Sequence, residues 1–236
     1  MDESNIEKKS NNSQQQIAGA IIIAGIIIAG AILLKGTTND MTVANVPISK
    51  LVGLNVKSFN TCLASGKFKD KIQADIDDGI KAGVSGTPSS FILKDGKVIP
   101  FISENGESSN NINGAQSFDL IMQNIADILK DGRNPVTVQI KPVTSDDHII
   151  GSLDAKIIII EYSDLDCPFC KVFHNTMHQV IEKNGKDVAW VYRHYPIPQL
   201  HPNAFKKAEE TECAWEQKGN DAFWKYTDKL FEFTSK

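Results

Sequence analysis

Cys167 and Cys170 have the residue type and spacing of a redox-active dithiol. They enclose Pro168 and Phe169, and they follow a run of four isoleucines at 157–160. Two thiols three residues apart can close a small disulfide and reopen it, so they can pass two electrons to another protein. The sequence therefore predicts thiol–disulfide redox chemistry at this turn.

The flanking residues indicate how the pair would be activated. The β-branched run 157–160 shows no alternation and predicts a strand buried on both faces in a sheet covered by helices. Pro168 suits the first turn of a following helix, because its missing N–H removes no helical hydrogen bond. The unpaired N–H groups of that helix would stabilise a thiolate at Cys167. We expect Cys167 to be the exposed nucleophile and Cys170 the shielded resolving thiol, with Pro168 and Phe169 supporting the site.

Three other interpretations of the cysteines are weaker. A structural zinc site needs four ligands, whereas Cys62 and Cys213 stand alone in the sequence. Cys170, His174 and His178 would share one helical face, but a metal bound there would compete with disulfide formation. A purely structural bridge is disfavoured because so short a loop constrains little of the unfolded chain. We therefore predict neither a metal nor a cofactor.

Length and charge limit the function classes. The chain has 236 residues and a net charge of −4. This length suffices for one domain of ordinary size plus an accessory segment. Charges of both signs are interspersed, so the sequence gives no indication of a nucleic-acid partner.

An uncharged apolar stretch, Ile17–Leu34, is just long enough to span a bilayer. Two lysines precede it closely and one follows, which favours a cytoplasmic tail over 1–16 and a linker at 35–40. A cleaved signal peptide is the alternative, although the run is long for one and no good cleavage site follows. A buried core helix would show a polar stripe. We expect a single-pass cell-membrane protein whose catalytic domain is extracytoplasmic, where thiols can stay oxidised.

Periodicity outlines the remaining elements. Helical patterns cover Val43–Ala82, His201–Gln217 and Ala222–Phe233. An Asp95-Gly96 turn predicts a hairpin, and Phe118, Ile121, Ile125 and Leu129 mark a helix that ends near Gly132. Val136–Ile140 alternates and predicts an exposed strand, and residues 157–192 predict a βαβ unit.

Several motifs accompany the dithiol: Glu-Tyr-Ser-Asp-Leu-Asp-Cys-Pro-Phe-Cys at 161–170, Tyr-Arg-His-Tyr-Pro at 192–196, His-Pro-Asn-Ala at 201–204, Glu-Cys-Ala at 212–214, Phe-Trp at 223–224, Leu-Phe at 230–231 and Gly-Val-Ser-Gly-Thr-Pro at 83–88. Over most of residues 41–236 the chain thereby resembles the DsbA-like thiol:disulfide oxidoreductases. These form a branch of the thioredoxin superfamily. The resemblance implies an α/β, thioredoxin-like fold with an inserted helical domain, here preceded by the transmembrane helix.

The resemblance also implies roles for particular residues. A cis peptide at Thr87-Pro88 would face the redox pair and bind an extended substrate strand. The acidic residue under the active site falls on Glu161, which could relay the proton of Cys170. Phe169 offers no positive charge, and the nearby Asp164 and Asp166 would disfavour a thiolate.

The implied activity is the formation of disulfides in exported proteins. Its partners would be reduced or misoxidised exported proteins and a membrane or soluble redox partner that recycles the dithiol. Disulfide isomerase or reductase activity is the near alternative. A non-enzymatic domain that binds a metal or a partner is the distant one.

The order of the motifs departs from the family, in which the Cys-x-x-Cys segment precedes the Thr-Pro loop. Joining Lys236 to Asn39 would restore the usual order, so the chain resembles a circular permutant in which those two residues lie close together. A misassembled coding sequence would give the same text. The predicted segments are 41–82 and 198–236 (helical subdomain), 83–130 and 136–197 (thioredoxin-like parts) and 131–135 (linker).

Undoing the permutation brings the segments of Cys62 and Cys213 together in the helical insert. We therefore expect a structural disulfide between them, which an oxidising compartment would favour. Two buried free thiols are the alternative, because cysteine packs well as a small apolar residue.

Overall fold

The computed structural model describes residues 46–130 and 132–233. The predicted tail, transmembrane segment and linker (1–16, 17–34 and 35–40) lie outside these ranges, as does the predicted proximity of Asn39 and Lys236. Among the described residues, none of the helices combines the length and the apolar character that a membrane span requires.

Six strands form the main sheet and two more form a small separate sheet. In chain order the strands are β1 (Ser89–Lys94), β2 (Lys97–Ile99), β3 (Phe101–Ile102), β4 (Ser108–Ser109), β5 (Ile112–Asn113), β6 (His148–Ile150), β7 (Ile157–Ser163) and β8 (Val188–His194). The main sheet has the order β2-β1-β7-β8-β6, and β5 also pairs with β1. Strands β7 and β8 are parallel, and the other pairs are antiparallel. Strands β3 and β4 form the small sheet.

Six helices complete the described domain. They are α1 (Ile48–Leu51), α2 (Val56–Ser65), α3 (Lys69–Ala82), α4 (Phe118–Lys130), α5 (Pro168–Asn184) and α6 (Ala204–Phe233). Helix α6 is interrupted at Lys218 and Gly219, whose backbone angles are not helical. Gly219 has a φ of 68°, a conformation that favours glycine. This break separates the two helical patterns of the sequence.

The centre of the sheet is built from uninterrupted apolar strands. Every residue of β8 is buried, and in β7 only Ile158 is partly exposed. Parallel neighbours joined by a helix have both faces covered, which removes the alternation of a one-sided strand. The predicted βαβ unit is therefore confirmed, with α5 as its crossover helix.

Both halves of the chain contribute to one thioredoxin-like unit. Strand β1 pairs with β7 along five residue pairs, and helices α1, α2 and α3 contact α6. Arg193 is fully buried where these parts meet: its guanidinium donates to Asp78 of α3 at 2.8 Å and to Asp147 at 2.9 Å. A buried guanidinium is tolerated because both carboxylates pair with it. From Pro47 onward the described residues form one compact unit.

Of the two elements predicted from local patterns before the dithiol, the hairpin turn is present and the strand Val136–Ile140 is not. The Asp95-Gly96 turn does connect β1 and β2, and both residues have positive φ, 52° and 72°. The predicted strand Val136–Ile140 is wrong, since only Val136 forms an isolated bridge, to Val98. The alternating residues instead pack their apolar side chains against the buried cluster around Phe91. The alternation of apolar and polar side chains arises here because one side of the segment is buried. An extended segment can bury one side without pairing with another strand.

Candidate active site

Cys167 lies at the point where the central strand gives way to a helix. It is the N-cap residue of α5, and Pro168 is the first residue of that helix. The unpaired N–H groups of the first turn and the positive end of the helix dipole therefore surround the Cys167 side chain. Cys170, one turn further on, is completely buried. The structure shows both as free thiols.

The Thr87-Pro88 loop faces this turn although it precedes it by 80 residues. Strand β1 starts directly after Pro88 and pairs with β7 in antiparallel register, with Ser89 opposite Tyr162. The loop before β1 and the turn after β7 must consequently meet at the same edge of the sheet. The Thr87-Pro88 bond is cis, and the Cys167 thiol donates to the Thr87 carbonyl oxygen at 3.5 Å.

The two thiols have opposite pKa shifts. A hydrogen bond from the Cys170 thiol lowers the pKa of Cys167 to about 6. Burial raises the pKa of Cys170 well above its ordinary value of 9.0. A thiolate held by a neighbouring donor is stabilised, whereas a thiol enclosed by apolar atoms resists ionisation. At neutral pH Cys167 is therefore the attacking sulfur and Cys170 the protonated one.

The expectation that Cys167 is exposed is wrong, because the structure buries this residue. Only 4% of the residue is accessible, because the Thr87-Pro88 loop and the helix start enclose it. The exposed member of the turn is Phe169, at 65%.

Glu161 lies inside the sheet on β7 and is completely buried. The indole Nε1 of Trp190 donates to its Oε2 atom at 2.9 Å. Burial raises the pKa of Glu161 to about 7. After burial and the contact with Cys167, the charge of Glu161 is the next cause that raises the pKa of Cys170. A carboxyl that titrates near neutrality close to the resolving thiol can exchange a proton with it.

The unfavourable effect of Asp164 and Asp166 on the thiolate stays a prediction, and both carboxylates have partners of their own in the structure. Asp164 accepts hydrogen bonds from the backbone N–H of Ile197 at 2.8 Å and from Nδ1 of His201 at 2.9 Å. Asp166 forms an ion pair with Lys207. These partners offset negative charge beside the dithiol, while the hydrogen bond from Cys170 lowers the pKa of Cys167 below its ordinary value.

His201 and Lys207 are two functional residues that sequence reasoning missed. Both lie in the segment between β8 and the middle of α6, more than 30 residues after the dithiol. The pairing with acidic residues at 164 and 166 depends on the packing of α6 beside the active site. The His-Pro-Asn-Ala motif at 201–204 was the only available signal, and it carried no role by itself.

Cys62 and Cys213 form a disulfide between α2 and α6. Their Cα atoms are 5.8 Å apart, and 151 residues separate them in the sequence. The bridge joins the helices that precede the sheet to the helix that follows it. Beside it, Phe59 stacks on Tyr226 with ring centroids 5.3 Å apart.

The set of Cys170, His174 and His178, which the sequence analysis disfavoured as a metal site, does not converge in the structure. Cys170 contacts Cys167, whereas the two histidines meet Asp228 of α6. A second polar cluster, which the sequence did not predict, consists of His148, His194, Glu212 and Lys71.

The fold and the site define a thioredoxin-like domain with a dithiol at a helix N-terminus opposite a cis-proline loop. A thioredoxin family model matches residues 143–236. Disulfide bond formation protein D of Bacillus subtilis is 29% identical over 104 residues, which is 44% of this chain and 46% of that protein. Over this part of its length the chain is thus similar to the thioredoxin family and to a disulfide bond formation protein.

Other matches are also partial. The Na(+)/H(+) antiporter NhaA 1 of Mycolicibacterium vanbaalenii is 36% identical over 94 residues, 39% of this chain but 15% of the antiporter. Pseudomonas aeruginosa DsbA2 matches 39% of this chain and 50% of its own, with 35% identity and a TM-score of 0.36. Proteus mirabilis ScsC matches 52% and 49%, with 20% identity and a TM-score of 0.34. The chain spans at most about half the length of these relatives.

Proposed function

We propose that this chain is a membrane-anchored thiol:disulfide oxidoreductase that forms disulfides in exported proteins. The observation that carries the proposal is the pair of thiols at the start of α5, whose pKa values are shifted in opposite directions. The pKa of Cys167 is lowered to about 6, and the pKa of Cys170 is raised. An asymmetric pair provides one sulfur that accepts a substrate and one that releases it.

The reaction starts from the oxidised Cys167–Cys170 pair. A substrate thiolate attacks Cys167, forms a mixed disulfide, and displaces Cys170 as a thiolate, which takes up a proton. A second thiolate of the substrate then attacks the sulfur bonded to Cys167, which leaves as a thiolate. The substrate thereby loses two electrons, and the dithiol gains them.

Glu161 is the group that handles the proton of Cys170. Its pKa of about 7 lets it give up a proton to the displaced Cys170 thiolate. The reverse transfer occurs when a redox partner reoxidises the dithiol. Because both groups are fully buried, bulk water cannot serve this thiol directly.

The thiol pKa values favour the oxidising direction. A stabilised Cys167 thiolate lowers the free energy of the reduced form, and this makes the disulfide a stronger oxidant. The hydrogen bond from Cys170 and the helix N-terminus supply that stabilisation without a charged residue between the cysteines.

Substrate recognition would use the backbone at Thr87 and the exposed ring of Phe169. An extended segment can pair with backbone groups beside the cis-proline loop, which selects for unfolded polypeptides rather than for a sequence. Phe169, at 65% exposure, offers an apolar contact next to the reactive sulfur. The partners would be reduced or misoxidised exported proteins and a membrane or soluble partner that recycles the dithiol.

The proposed location rests on the sequence of residues 17–34, which is uncharged and of spanning length. With the tail 1–16 in the cytoplasm, the domain would lie outside the cytoplasm. A disulfide between Cys62 and Cys213 is compatible with an oxidising compartment.

We also infer that the segment order is circularly permuted relative to the family. Support comes from the pairing of β1 with β7 and of α2 with α6, which combines the two halves in one unit. A chain rearranged to run from residue 134 to 236, through a short linker, and on to 39–130 should keep the same circular dichroism spectrum and oxidase activity. A rearranged chain that does not fold would contradict the inference.

The decisive experiment is single-turnover oxidation of a reduced two-cysteine peptide by the oxidised full chain. We expect stoichiometric transfer of one disulfide. When the peptide is instead supplied in its disulfide form, the Cys167 thiolate of Cys170→Ala should attack that disulfide and accumulate as a mixed disulfide, because no Cys170 thiol resolves it, and Cys167→Ala should accumulate none. Peptide that stays reduced in the presence of the oxidised chain would contradict oxidase activity.

A further inference from the structure

Three donor atoms converge beside the active-site helix. His174 and His178 lie one turn apart on α5, and Asp228 lies on α6. Nε2 of His174 is 2.8 Å from Oδ1 of Asp228, Nε2 of His178 is 3.0 Å from the same oxygen, and the two nitrogens are 3.1 Å apart. The three atoms thus form a nearly equilateral triangle.

Protons alone cannot satisfy all three sides of this triangle. An uncharged imidazole Nε2 carries either a hydrogen or a lone pair, and an ionised carboxylate only accepts. If both histidines donate to Asp228, two N–H groups oppose each other across the 3.1 Å contact. If His178 donates to His174 instead, the lone pair of His174 faces the carboxylate. One contact is unfavourable in either arrangement.

A divalent cation removes this conflict, because all three lone pairs can point at one ion. Two imidazoles and one carboxylate are a donor set used for zinc, with ion–ligand distances of about 2.0–2.2 Å. In tetrahedral geometry such ligands lie about 3.3 Å from one another. The observed separations of 2.8–3.1 Å would need to increase by only a few tenths of an ångström.

The site has an open side for a fourth ligand. The donors line a surface pocket of about 630 Å³, together with Lys171, Asn175, Phe231 and Glu232. His174 is held in place from behind, since its ring packs on Phe231 with centroids 4.6 Å apart and on Trp190 at 5.1 Å. Because His178 and Asp228 are partly exposed, an ion can enter from solvent.

We propose that His174, His178 and Asp228 form a site for a divalent transition-metal ion, with Zn²⁺ as its simplest occupant and water or an external ligand in the fourth position. The ion would connect α5, which carries the dithiol, to α6. His174 follows Cys170 by one helical turn, so the ion would stabilise the helix on which the redox pair stands.

The polar cluster of His148, His194, Glu212 and Lys71 has no free position for a metal ion between its donor atoms. There, Nζ of Lys71 lies 2.5 Å from Oε1 of Glu212 and 2.9 Å from Nε2 of His148. The lysine ammonium already occupies the position of a cation between the same donors. His194 also contacts the same carboxylate oxygen, at 3.1 Å, and both histidines are completely buried.

The test is Zn²⁺ binding to the purified full chain with the Cys167–Cys170 pair oxidised, so that neither thiol can bind the ion. We expect one ion per chain by titration calorimetry, a rise in melting temperature with added Zn²⁺, and the visible absorption of tetrahedral Co²⁺ when cobalt replaces zinc. Ligand binding to the folded state alone raises stability in this way.

The variants His178→Ala and Asp228→Asn should each raise the Kd for Zn²⁺ at least tenfold and remove the rise in melting temperature. Asn175→Ala is the matched control, because Asn175 lines the same pocket and is not one of the three donors. It should bind Zn²⁺ like the parent chain. Two variants are used so that one that fails to fold does not decide the result. Binding that is absent in the parent chain, or unchanged in both ligand variants, would overturn the site.

Discussion

The two cysteine pairs of this chain have opposite designs. Cys167 and Cys170 are three positions apart at a helix start, and their pKa values move in opposite directions. Cys62 and Cys213 are 151 positions apart and are bridged between the interiors of α2 and α6. Local spacing produces a pair that can change its oxidation state, whereas tertiary packing produces a pair that holds two segments together.

The physical difference lies in what each bond constrains. A bridge across three positions removes little entropy from the unfolded chain, so its stability depends on how well the folded site stabilises the reduced thiols. A bridge across 151 positions restricts most of the unfolded chain. The first pair is therefore suited to exchange and the second to structure.

The largest expected effect separates the pairs by activity. Cys167→Ser should reduce oxidation of a test peptide to the uncatalysed rate, because no other sulfur can form the mixed disulfide. The double variant Cys62→Ala/Cys213→Ala should keep a rate within about threefold of the parent chain when measured well below its melting temperature. Equal loss of activity in both variants would show that the second pair takes part in exchange.

The same variants should differ in stability in the opposite sense: the free energy of unfolding should fall more in the double variant than in Cys167→Ser. For a loop of 151 residues the chain-entropy model gives about 5 kcal/mol, and measured losses fall at about 2–5 kcal/mol. Urea unfolding of the oxidised chain should show this loss in Cys62→Ala/Cys213→Ala. At pH 6, where the Cys167 thiolate contributes little to stability, the reduced Cys167→Ser variant should differ from the reduced parent chain by much less. A double variant as stable as the parent would mean that the bridge contributes little.

Glu161 is a further feature of the redox pair, because the charge of this buried carboxyl contributes to the raised pKa of Cys170. Glu161→Gln keeps the shape of the side chain and removes its titration. We expect peptide oxidation at pH 7 to slow on the order of 10²-fold, the low end of what a general acid–base group contributes. The pH–rate profile should also lose its inflection near 7, where Glu161 titrates. A profile that keeps this inflection would assign the proton transfer to another group.

The redox pair and its fold could largely be predicted because their signals are local. The isoleucine run, the proline after Cys167 and the cysteine spacing all concern neighbours along one strand–turn–helix. The partners of Asp164 and Asp166 could not be predicted, since they depend on how α6 packs beside the turn. The same limit applies to Asp228, which joins two histidines 50 or more positions earlier.

The prediction that Cys167 is exposed was wrong for a related reason. The Thr87-Pro88 motif indicated a loop that faces the dithiol, but not how closely it covers the sulfur. Its carbonyl oxygen lies within 3.5 Å of Cys167 Sγ. Likewise, the alternation at Val136–Ile140 showed which side chains are buried without showing that the backbone lacks a partner strand.

Alkylation kinetics should show the asymmetry of the reduced pair. Iodoacetamide should modify Cys167 first, with a pH midpoint near 6, while Cys170 stays unmodified at that pH because its pKa is raised. Mass spectrometry of the peptides measures both. The folded pKa lies below the unfolded value of about 8.5, so reduced-state stability relative to Cys167→Ser should be full above about 8.5 and fall as the pH drops toward 6. A midpoint near 8.5 would contradict the assignment.

The smallest expected effect tests how the acidic residues beside the turn are compensated. Lys207→Ala removes the ion pair with Asp166 and leaves that carboxylate without its ammonium partner near Cys167. An ion pair with partial solvent access contributes about 0.2–1 kcal/mol, and one pKa unit corresponds to about 1.4 kcal/mol. The alkylation midpoint of Cys167 should therefore rise by a few tenths of a pH unit.

Lys225→Ala is the control, because it removes an exposed ion pair with Asp221 on the same helix. We expect that control to leave the midpoint unchanged. A midpoint that stays the same in Lys207→Ala would mean that the helix start and Cys170 alone fix the Cys167 pKa, and that Asp166 has no electrostatic effect on the dithiol.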